Sequence, residues 1–419
     1  MLDIKHQLKK YPPVDLKELI EITPDGFIAY FQQYKLKSVF QPIFSFAHDA
    51  PIGYEALLRT TDINNQAIPP IDLFSNIVIQ DELTQLEQLS RTLHILNFFR
   101  ENTNNALLFL NINPRLIKNS NNCLKQLLEL LNEYDIPPTR IVIEFVEESF
   151  TDINIMIKAT NYLRQSGCLI AIDDFGAGHS NFNRVWDLRP DIVKLDKSLI
   201  NRIREDSYFQ RPITNLVELL HESESLVLIE GVEDANDADI AHELGVDFHQ
   251  GFFFGHPKQL SFSKNRHNYY LKGANERTLR NKIPSNSNKL SEQLNFLFRQ
   301  AVMNSYSDIN LNQSCEGLLN HPSTLLCYIL DEAGYQIGDS VHGAHSTHNL
   351  DNRFGKIGMT SGVNWSRRNY FQRALSEPMV IQSTQPYLSI TSAKMCVTLS
   401  MATHIENKTY ILCCDVKVN

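Results

Sequence analysis

Short apolar segments that end in polar residues recur along much of the chain, and this pattern constrains the fold more than any other feature. The segment 169–172 is typical, because four apolar residues are followed directly by Asp173 and Asp174. A run of this length and composition predicts a buried strand. Two adjacent carboxylates at a strand end repel each other and are costly to bury. Divalent cations would remove that cost, so the pair indicates a metal site as well as a strand end.

Seven further strands are predicted by similar apolar runs, and most are separated by helical segments. They span residues 38–46, 52–58, 106–110, 140–143, 191–195, 226–229 and 246–249. Eight strands that alternate with helices predict an α/β fold, a (β/α)₈ barrel of the TIM type. The short gap between the first two strands predicts a hairpin, which would make one strand of this modified barrel antiparallel.

Polar residues lie within these strands or directly after them. They are Glu55, Asn111, Glu144, Asp173, Asp174, Lys194, Glu230 and Gln250. Because the carboxyl ends of barrel strands converge on one mouth, we expect these side chains to lie together. Carboxylate and amide oxygens are the ligands that Mg²⁺ and Mn²⁺ prefer. Five carboxylates exceed the needs of one ion, and two ions that share a carboxylate would suit phosphodiester hydrolysis.

Each of these positions also has a purely structural interpretation. Asn111 would cap a strand, Lys194 would lie on a solvated face, and Gln250 would occupy a turn. An Asp-Asp pair followed by Gly176 is, taken alone, typical of a solvated turn. The joint occurrence of all these residues at successive strand ends favours the metal site.

Composition restricts the class of protein. The 419 residues predict two or three domains, and 42% hydrophobic with 21% charged residues is typical of a soluble globular protein. A net charge of −9 argues against nucleic acid as a partner, and no apolar stretch is long enough for a membrane span. The seven cysteines lack motif spacing and the N-terminus lacks an apolar signal core. We therefore expect a cytoplasmic protein.

Taken together, the motifs resemble those of the EAL-domain family of cyclic di-GMP phosphodiesterases. The motifs are Gln41-Pro-Ile43, Glu55-Ala-Leu-Leu-Arg59, Asn111-Ile-Asn-Pro114, Glu144-Phe-Val-Glu147, Asp173-Asp-Phe-Gly-Ala-Gly178, Val193-Lys-Leu-Asp196, Glu230-Gly-Val-Glu233 and Gln250-Gly251. They occur in the family's order and at family-like spacing. The resemblance implies the barrel with one antiparallel strand, and hydrolysis of cyclic di-GMP to linear pGpG. Asn113 departs from the serine that is more frequent in the family.

The resemblance also implies a role for each residue. Two ions, Mg²⁺ or Mn²⁺, would be held in each active site by Glu55, Asn111, Glu144, Asp173, Asp174 and Glu230, with Asp173 between them. The catalytic set would be Glu55, Glu147, Lys194 and Glu230. In that set Lys194 would orient or help to activate the attacking water, and Glu147 would anchor the loop after Asp174. The substrate would be contacted by Gln41, Leu57, Arg59 and Gln250.

One alternative function stays open. Some members of the family bind cyclic di-GMP as receptors after losing metal ligands, and hydrolyse it poorly or not at all. No ligand is lost in this sequence, which favours the enzyme.

The sequence predicts four segments. They are a helical extension at 1–35, the barrel at 36–262, a linker with a connecting helix at 263–322, and a second domain at 323–419. In the last segment, strands on both sides of a helix at 364–375 predict an α+β fold. Its Trp365, Arg368 and Tyr370 resemble those of PAS-like and Cache-like sensor domains. Such a domain would hold a small-molecule ligand or serve dimerisation, and we expect a homodimer that it regulates.

Overall fold

The structure is a computed structural model in which two compact units are described. The described residues are 16, 18–48, 50–100, 106–113, 117, 122–146, 152–178, 182–260, 292–305, 310–346, 360–366, 368–384, 386–392, 394–405 and 408–417. One unit draws on residues 1–44, 51–213 and 227–269, and the other on 45–50, 214–226 and 270–419. None of the helices in the described ranges is long and apolar enough to cross a membrane.

Eleven strands form the sheet that contains the barrel. They are β1 (Ile20–Thr23), β2 (Gly26–Phe31), β3 (Tyr34–Ser45), β4 (Ala50–Thr61), β5 (Ala67–Ile68), β6 (Leu107–Asn111), β7 (Ile141–Val146), β8 (Leu169–Phe175), β9 (Ile192–Leu195), β10 (Leu226–Ile229) and β11 (Phe248–Gln250). Eight of them close the barrel in the order β3, β11, β10, β9, β8, β7, β6 and β4, and β4 pairs again with β3. Because β3 runs antiparallel to β11 whereas β10 runs parallel to it, the predicted barrel with one antiparallel strand is confirmed.

Helices connect most of the parallel strands. They are α1 (Pro70–Asn76), α2 (Gln80–Arg100), α3 (Asn122–Glu133), α4 (Ile153–Gln165), α5 (Phe182–Leu188), α6 (Ser198–Glu205), α7 (Gln210–Glu222) and α8 (Ala235–Glu243). The side chains of Asp152 and Asp234 cap α4 and α8, where they accept hydrogen bonds from backbone N–H groups of the first turn. Helix α7 begins at Gln210 as a helix separate from α6, because the backbone at Asp206 is extended and ends α6.

Two buried aspartates fix the register of the parallel strands. Asp191 precedes β9, and its Oδ2 accepts a hydrogen bond of 2.8 Å from the Ile170 N–H of β8. Asp247 precedes β11 and bonds the Val227 N–H of β10 in the same way, at 2.9 Å. A slip of one residue would break these bonds and turn each strand's core-facing side chains outward. The same device therefore helps to place the site residues at the opposite ends of these strands.

The predicted helical extension at 1–35 is wrong for its described part. Residues 20–31 form an antiparallel pair of strands, β1 and β2, that extends the sheet beyond β3. Phe27, Ala29 and Phe31 alternate on β2 and are buried with Leu89 and Leu93 of α2. This period of two is a strand pattern, which Pro24 and the turn at residues 24–25 obscure in the sequence. Residues 1–15 lie outside the described residues.

The second unit is an α+β structure, as predicted. Its antiparallel sheet contains β12 (Thr324–Asp331), β13 (Gln336–His342), β14 (Gln382–Ser383), β15 (Tyr387–Leu388), β16 (Met395–Ile405) and β17 (Lys408–Lys417). Its helices are α9 (Glu292–Asn304), α10 (Leu311–Ser314), α11 (Glu316–Leu319) and α12 (Asn369–Ser376). Cys413 and Cys414 are buried on β17.

The connecting helix predicted within 263–322 is α9, and it packs within the second unit. Its Leu294, Phe298 and Val302 share a core with Cys327 and Leu412 of the sheet. The boundary predicted at residue 323 therefore excludes a helix that belongs to this core. The linker predicted around residues 284–288 lies outside the described residues.

Candidate active site

Four carboxylates surround one ammonium at the ends of the barrel strands. Lys194 Nζ lies 2.9 Å from Glu144 Oε1, 2.9 Å from Asp173 Oδ1 and 2.8 Å from Glu230 Oε1. It also lies 3.7 Å from Glu55 Oε2. These residues come from β9, β7, β8 and β4, and Glu230 follows β10 directly. The barrel therefore brings together five residues that the sequence places far apart.

Lys194 is completely buried, and its charge state follows from its neighbours. Burial acts to lower the pKa of Lys194, but Asp173, Glu144, Glu230 and Glu55 act to raise it, and the result lies well above its ordinary value. Lys194 is thus an ammonium at neutral pH, because four carboxylates offset the cost of burying its charge. In this state its nitrogen has no lone pair to accept a proton, so Lys194 is not a general base.

Glu55 is held in place by amide groups. Its Oε1 accepts a hydrogen bond of 3.0 Å from Asn111 Nδ2, and its Oε2 accepts one of 2.6 Å from Gln250 Nε2. Gln250 Nε2 also lies 3.3 Å from Gln41 Oε1, and Gln41 Nε2 donates to the Gly255 carbonyl at 3.4 Å. This chain of amides leaves Glu55 with a fixed carboxylate orientation, as a metal ligand or a substrate contact requires.

Asp173 is common to two groups of carboxylates that could each hold a cation. Glu55, Glu144 and Asp173 form one group, and Asp173, Asp174 and Glu230 form the other. Within each group the ligand oxygens lie within 4.8 Å of one another. Hard oxygen donors of this kind suit Mg²⁺ or Mn²⁺, and a shared carboxylate suits a pair of ions. The residues present therefore fit two divalent cations.

Burial disfavours the ionised form of several of these carboxylates when no cation is bound. It raises the pKa of Glu144 well above its ordinary value, that of Glu230 to about 7 and that of Asp174 to about 6. The neighbouring Asp173 charge raises the last two further. A bound cation would oppose each of these effects, so this cluster of carboxylates favours the binding of positive charge.

Backbone geometry at the ends of β8 and β11 positions these side chains. Asp174 has a φ of 58°, in the left-handed region, and its N–H donates to Asp173 Oδ1 at 3.0 Å. Gly251 follows Gln250, and a Cβ at Gly251 would lie 2.0 Å from the Val232 carbonyl oxygen. Only glycine permits this approach of the two loops. The sequence indicates the loop by Gln250-Gly251, but not the contact that explains the glycine.

Two predicted substrate-binding residues, Leu57 and Arg59, lie on the same strand as Glu55, and one predicted catalytic residue lies outside the described residues. Arg59 is exposed, and its Nη1 donates to the Leu58 carbonyl at 2.9 Å. Leu57 is partly buried on β4. Glu147 lies outside the described residues, so its role stays a prediction. Sequence analysis missed the Gly255 carbonyl, which holds Gln41, since no side chain marks it.

The sequence profile of the EAL domain matches residues 28–257, which is more than half of the chain. The chain belongs to the EAL domain family. A solved structure of similar fold is that of the Bacillus subtilis YkuI protein, described as having an EAL domain in complex with substrate c-di-GMP and calcium. It has a TM-score of 0.50 and 22% sequence identity, and the match covers 92% of this chain and 96% of that one. At this identity the likeness shows the fold alone.

Curated relatives align with the EAL domain. Cyclic di-GMP phosphodiesterase PdeF of Escherichia coli is 27% identical over 224 residues, which are 52% of this chain and 30% of PdeF. Cyclic di-GMP phosphodiesterase PdeL of the same organism is 24% identical over 241 residues, which are 56% of this chain and 66% of PdeL. The chain spans 30–41% of the length of the first three curated relatives that it matches.

Proposed function

We propose that the EAL domain hydrolyses one phosphodiester bond of cyclic di-GMP and releases linear pGpG. The observation that carries the proposal is that two clusters of carboxylate residues share Asp173 and lie around Lys194. An oxygen-rich site for two cations at the mouth of a barrel is suited to the hydrolysis of a phosphodiester bond. The names of the PdeF and PdeL relatives support the same substrate and reaction.

The proposed cofactor is a pair of Mg²⁺ or Mn²⁺ ions. Glu55, Asn111, Glu144 and Asp173 would hold one ion, and Asp173, Asp174 and Glu230 would hold the other. Such ions, when bound, supply Lewis acidity toward the phosphodiester and the attacking water. For Asn111 the amide would turn its oxygen toward the ion and give up the hydrogen bond to Glu55.

The chain's own residues would orient the reactants. The Lys194 ammonium, fixed between carboxylates, would donate a hydrogen bond to the attacking water and align it with phosphorus. Because pGpG carries a 5′-phosphate, the bond that breaks joins phosphorus to the 3′-oxygen. The water oxygen forms a bond to phosphorus and loses a proton. The 3′-oxygen leaves and gains a proton, so that the step is balanced. Glu230, whose Oε1 lies 2.8 Å from Lys194 Nζ, would take part in this transfer.

Strand β4 would supply part of the substrate site. Its Glu55, Leu57 and Arg59 lie two residues apart and therefore point to the same face of the strand. The exposed Arg59 guanidinium suits a substrate phosphate, and Leu57 would contact the guanine or ribose. Gln41 and Gln250, which bond each other beside Glu55, would contact the substrate from the neighbouring strands.

The test is to incubate the full-length protein with cyclic di-GMP and Mg²⁺ or Mn²⁺, and to separate the nucleotides by chromatography. We expect pGpG with either ion and none in EDTA. Binding of cyclic di-GMP without any pGpG would contradict the enzyme and support the receptor alternative. Asp239→Asn, which changes an exposed aspartate of α8, serves as the control for substitutions in the site.

We also propose that the protein acts in the cytoplasm as a homodimer, and that the second unit regulates the EAL domain. All seven cysteines are buried and free, which supports a reducing compartment.

Trp186 of α5 is 52% exposed, and a large apolar side chain at the surface supports an interface there. Light scattering should give the dimer mass for the wild type and a smaller mass for Trp186→Ala. A monomeric wild type would contradict the dimer.

A further inference from the structure

Glu230 begins a short loop, residues 230–233, that is hydrogen-bonded to the strands on either side of it. The Glu230 N–H donates to the carbonyl of Leu195 at the end of β9, at 3.0 Å. The Val232 N–H donates to the carbonyl of Gln250 at the end of β11, at 3.1 Å. These two bonds fix the start and the middle of the loop, and the position of its last residue depends on a third contact.

The third contact is made by Asp237 in the first turn of α8. Its Oδ2 accepts a hydrogen bond of 2.8 Å from the N–H of Glu233, the last residue of the loop. The same Oδ2 accepts a bond from Arg204 Nη2, and Oδ1 accepts one of 2.5 Å from Arg204 Nε. The side chain of Asp237 is completely buried, and these three donors compensate for the loss of water around its carboxylate.

The pair of Arg204 and Asp237 connects two neighbouring strand–helix units of the barrel. Arg204 lies in the last turn of α6, which follows β9, the strand of Lys194. Asp237 lies in α8, which follows β10 and Glu230. The same two units also meet inside the cluster, where Lys194 Nζ lies 2.8 Å from Glu230 Oε1. A change at the pair can therefore reach Glu230 through the backbone of residues 231–233.

The loop itself supplies little stiffness, because its second residue is glycine. Gly231 has a φ of 74°, in the left-handed region, and a Cβ there would lie 2.3 Å from the Cβ of Lys197, which directly precedes α6. Glycine permits this close approach, but it also permits other backbone conformations. A loop of this kind needs contacts from outside to keep one conformation, and the bond from Glu233 to Asp237 is such a contact.

The physical chemistry of the pair favours a role in orientation over a role in stability. A buried ion pair contributes little net stability compared with apolar side chains of similar volume, because both charges lose hydration. A planar guanidinium that binds both oxygens of a carboxylate does, however, restrict that carboxylate to one orientation. In this orientation Asp237 Oδ2 faces the Glu233 N–H.

We propose that Arg204 and Asp237 are positioning residues, which hold Glu230 within its cation group by fixing the loop at residues 230–233. This inference rests on the proposed function, since it concerns the group of carboxylates that contains Glu230. The pair acts on that group through the backbone of the loop. The other group, which contains Glu55, should not depend on the pair.

Binding of Mn²⁺ to the full-length protein, measured by electron paramagnetic resonance, tests this without turnover. The wild type should bind two ions. In Arg204→Gln, one of the two should bind at least roughly tenfold more weakly, as when other residues that orient a metal ligand are lost. The second ion should keep its wild-type affinity, because only one cation group contains Glu230. The kcat for pGpG formation should fall by a similar factor.

A double-mutant cycle shows whether the pair acts through Glu230. In a Glu230→Gln background, Arg204→Gln should cause no further loss of Mn²⁺ affinity, because the carboxylate that Arg204 positions is already absent. Asp237→Asn keeps the shape of the side chain and should behave as Arg204→Gln does. Since 32% of the Arg204 side chain is exposed, Arg204→Gln gives the result even if Asp237→Asn fails to fold.

Arg140→Gln is the matched control for effects on stability alone. Arg140 directly precedes β7, and its Nε and Nη2 donate to the carbonyl of Ala106 at 3.2 Å and 2.9 Å. It therefore lies at the ends of the strands opposite to the cluster. Arg140→Gln should lower the melting temperature and leave both Mn²⁺ affinities and kcat unchanged.

Three outcomes would overturn the inference. They are two wild-type Mn²⁺ affinities in an Arg204→Gln protein of lower melting temperature, equal weakening of both ions in that variant, and additive losses in the double variant with Glu230→Gln. A wild type that binds two Mn²⁺ ions but makes no pGpG would contradict the proposed function alone, because the titrations would still decide the role of the pair. A wild type that binds no Mn²⁺ would contradict both.

Discussion

Lys194 Nζ lies 2.9 Å from Glu144 Oε1 in a region where neither side chain reaches solvent. Lys194→Met would remove the cation and leave Glu144 as a buried carboxylate without its partner. We expect the free energy of unfolding in EDTA to fall by about 3–5 kcal/mol, as for other broken buried pairs. Urea denaturation followed by circular dichroism measures it. Lys158→Met, on the exposed face of α4, is the control and should change stability by less than about 0.5 kcal/mol.

The shared carboxylate should be essential for turnover. Asp173→Asn and Glu55→Gln each remove a negative charge from a candidate cation group while keeping the size of the side chain. We expect each to reduce pGpG formation by at least roughly a hundredfold, the range seen when charge stabilisation is lost at a reacting centre. Near-native rates in either variant, beside a normal Asp239→Asn control, would mean that the cluster is not the site.

The identity of the cation should matter. EDTA should abolish turnover, and Mg²⁺ or Mn²⁺ added back should restore it. Ca²⁺ prefers longer and more flexible coordination than Mg²⁺, so it should support binding of cyclic di-GMP but not its hydrolysis. Calorimetry and product chromatography on the same samples separate the two effects. Full turnover with Ca²⁺ as the sole divalent ion would contradict the proposed roles of the cluster.

Gly251 should be required for the position of Gln250. A methyl group at Gly251 would overlap the Val232 carbonyl, so the end of β11 must move in Gly251→Ala. The hydrogen bond that the Gln250 amide donates to Glu55 would then lengthen. We therefore expect the effect on turnover to exceed the effect on stability. Gly245→Ala is the matched control, because its φ is 77° but no atom lies within 4 Å of the added Cβ. Gly245→Ala should lower the free energy of unfolding by about 1 kcal/mol and leave kcat unchanged. A Gly251→Ala enzyme with wild-type kcat would count against this account.

One buried histidine should contribute a loss of stability in acid, whereas the carboxylates with raised pKa values, such as Glu230 and Asp174, contribute with the opposite sign. Burial lowers the pKa of His94 to about 3, and its ring nitrogens lie 2.8 Å from Ser38 Oγ and 3.2 Å from Ser90 Oγ. Below its ordinary value of 6.5, the unfolded chain binds a proton that the folded one does not. The contribution of His94 to the free energy of unfolding is therefore present above pH 6.5. It is lost as the pH falls toward 3, by about 1.4 kcal/mol per pH unit.

His94→Gln should remove this dependence. Denaturation of wild type and variant between about pH 7.5 and pH 5.5 measures the difference in slope. His256→Leu, which changes an exposed histidine, should keep the wild-type slope. Parallel slopes for the wild type and His94→Gln would show that His94 is not the group that titrates.

The sequence predicts those parts of the fold that rest on local pattern. Apolar runs such as 169–172 and 226–229 mark the parallel strands, because a strand covered on both faces needs apolar residues at every position. The sequence does not predict the strands at 20–31, because Pro24 and the turn at residues 24–25 interrupt the pattern and Ile22 of β1 is 67% exposed. Local pattern also could not show that Asp206 separates two helices.

The candidate site could be predicted because its residues lie at strand ends, which the barrel brings to one mouth. The contacts among them could not, since the bond between Gln250 and Glu55 depends on how β11 meets β3 and β4.

Because β11 closes the barrel, the barrel cannot be completed until the ribosome has made residue 250. Gln250 follows Glu55 by 195 residues, which at about 5–20 residues per second are made in roughly 10–40 s. Throughout that interval the nascent chain has no β11, so β3, and later β10 once it has been made, lack the neighbour that will join them. Exposed strand edges of this kind pair readily with other chains. The yield of active protein should therefore depend on translation speed between residues 55 and 250, and on chaperones that bind the unfinished barrel.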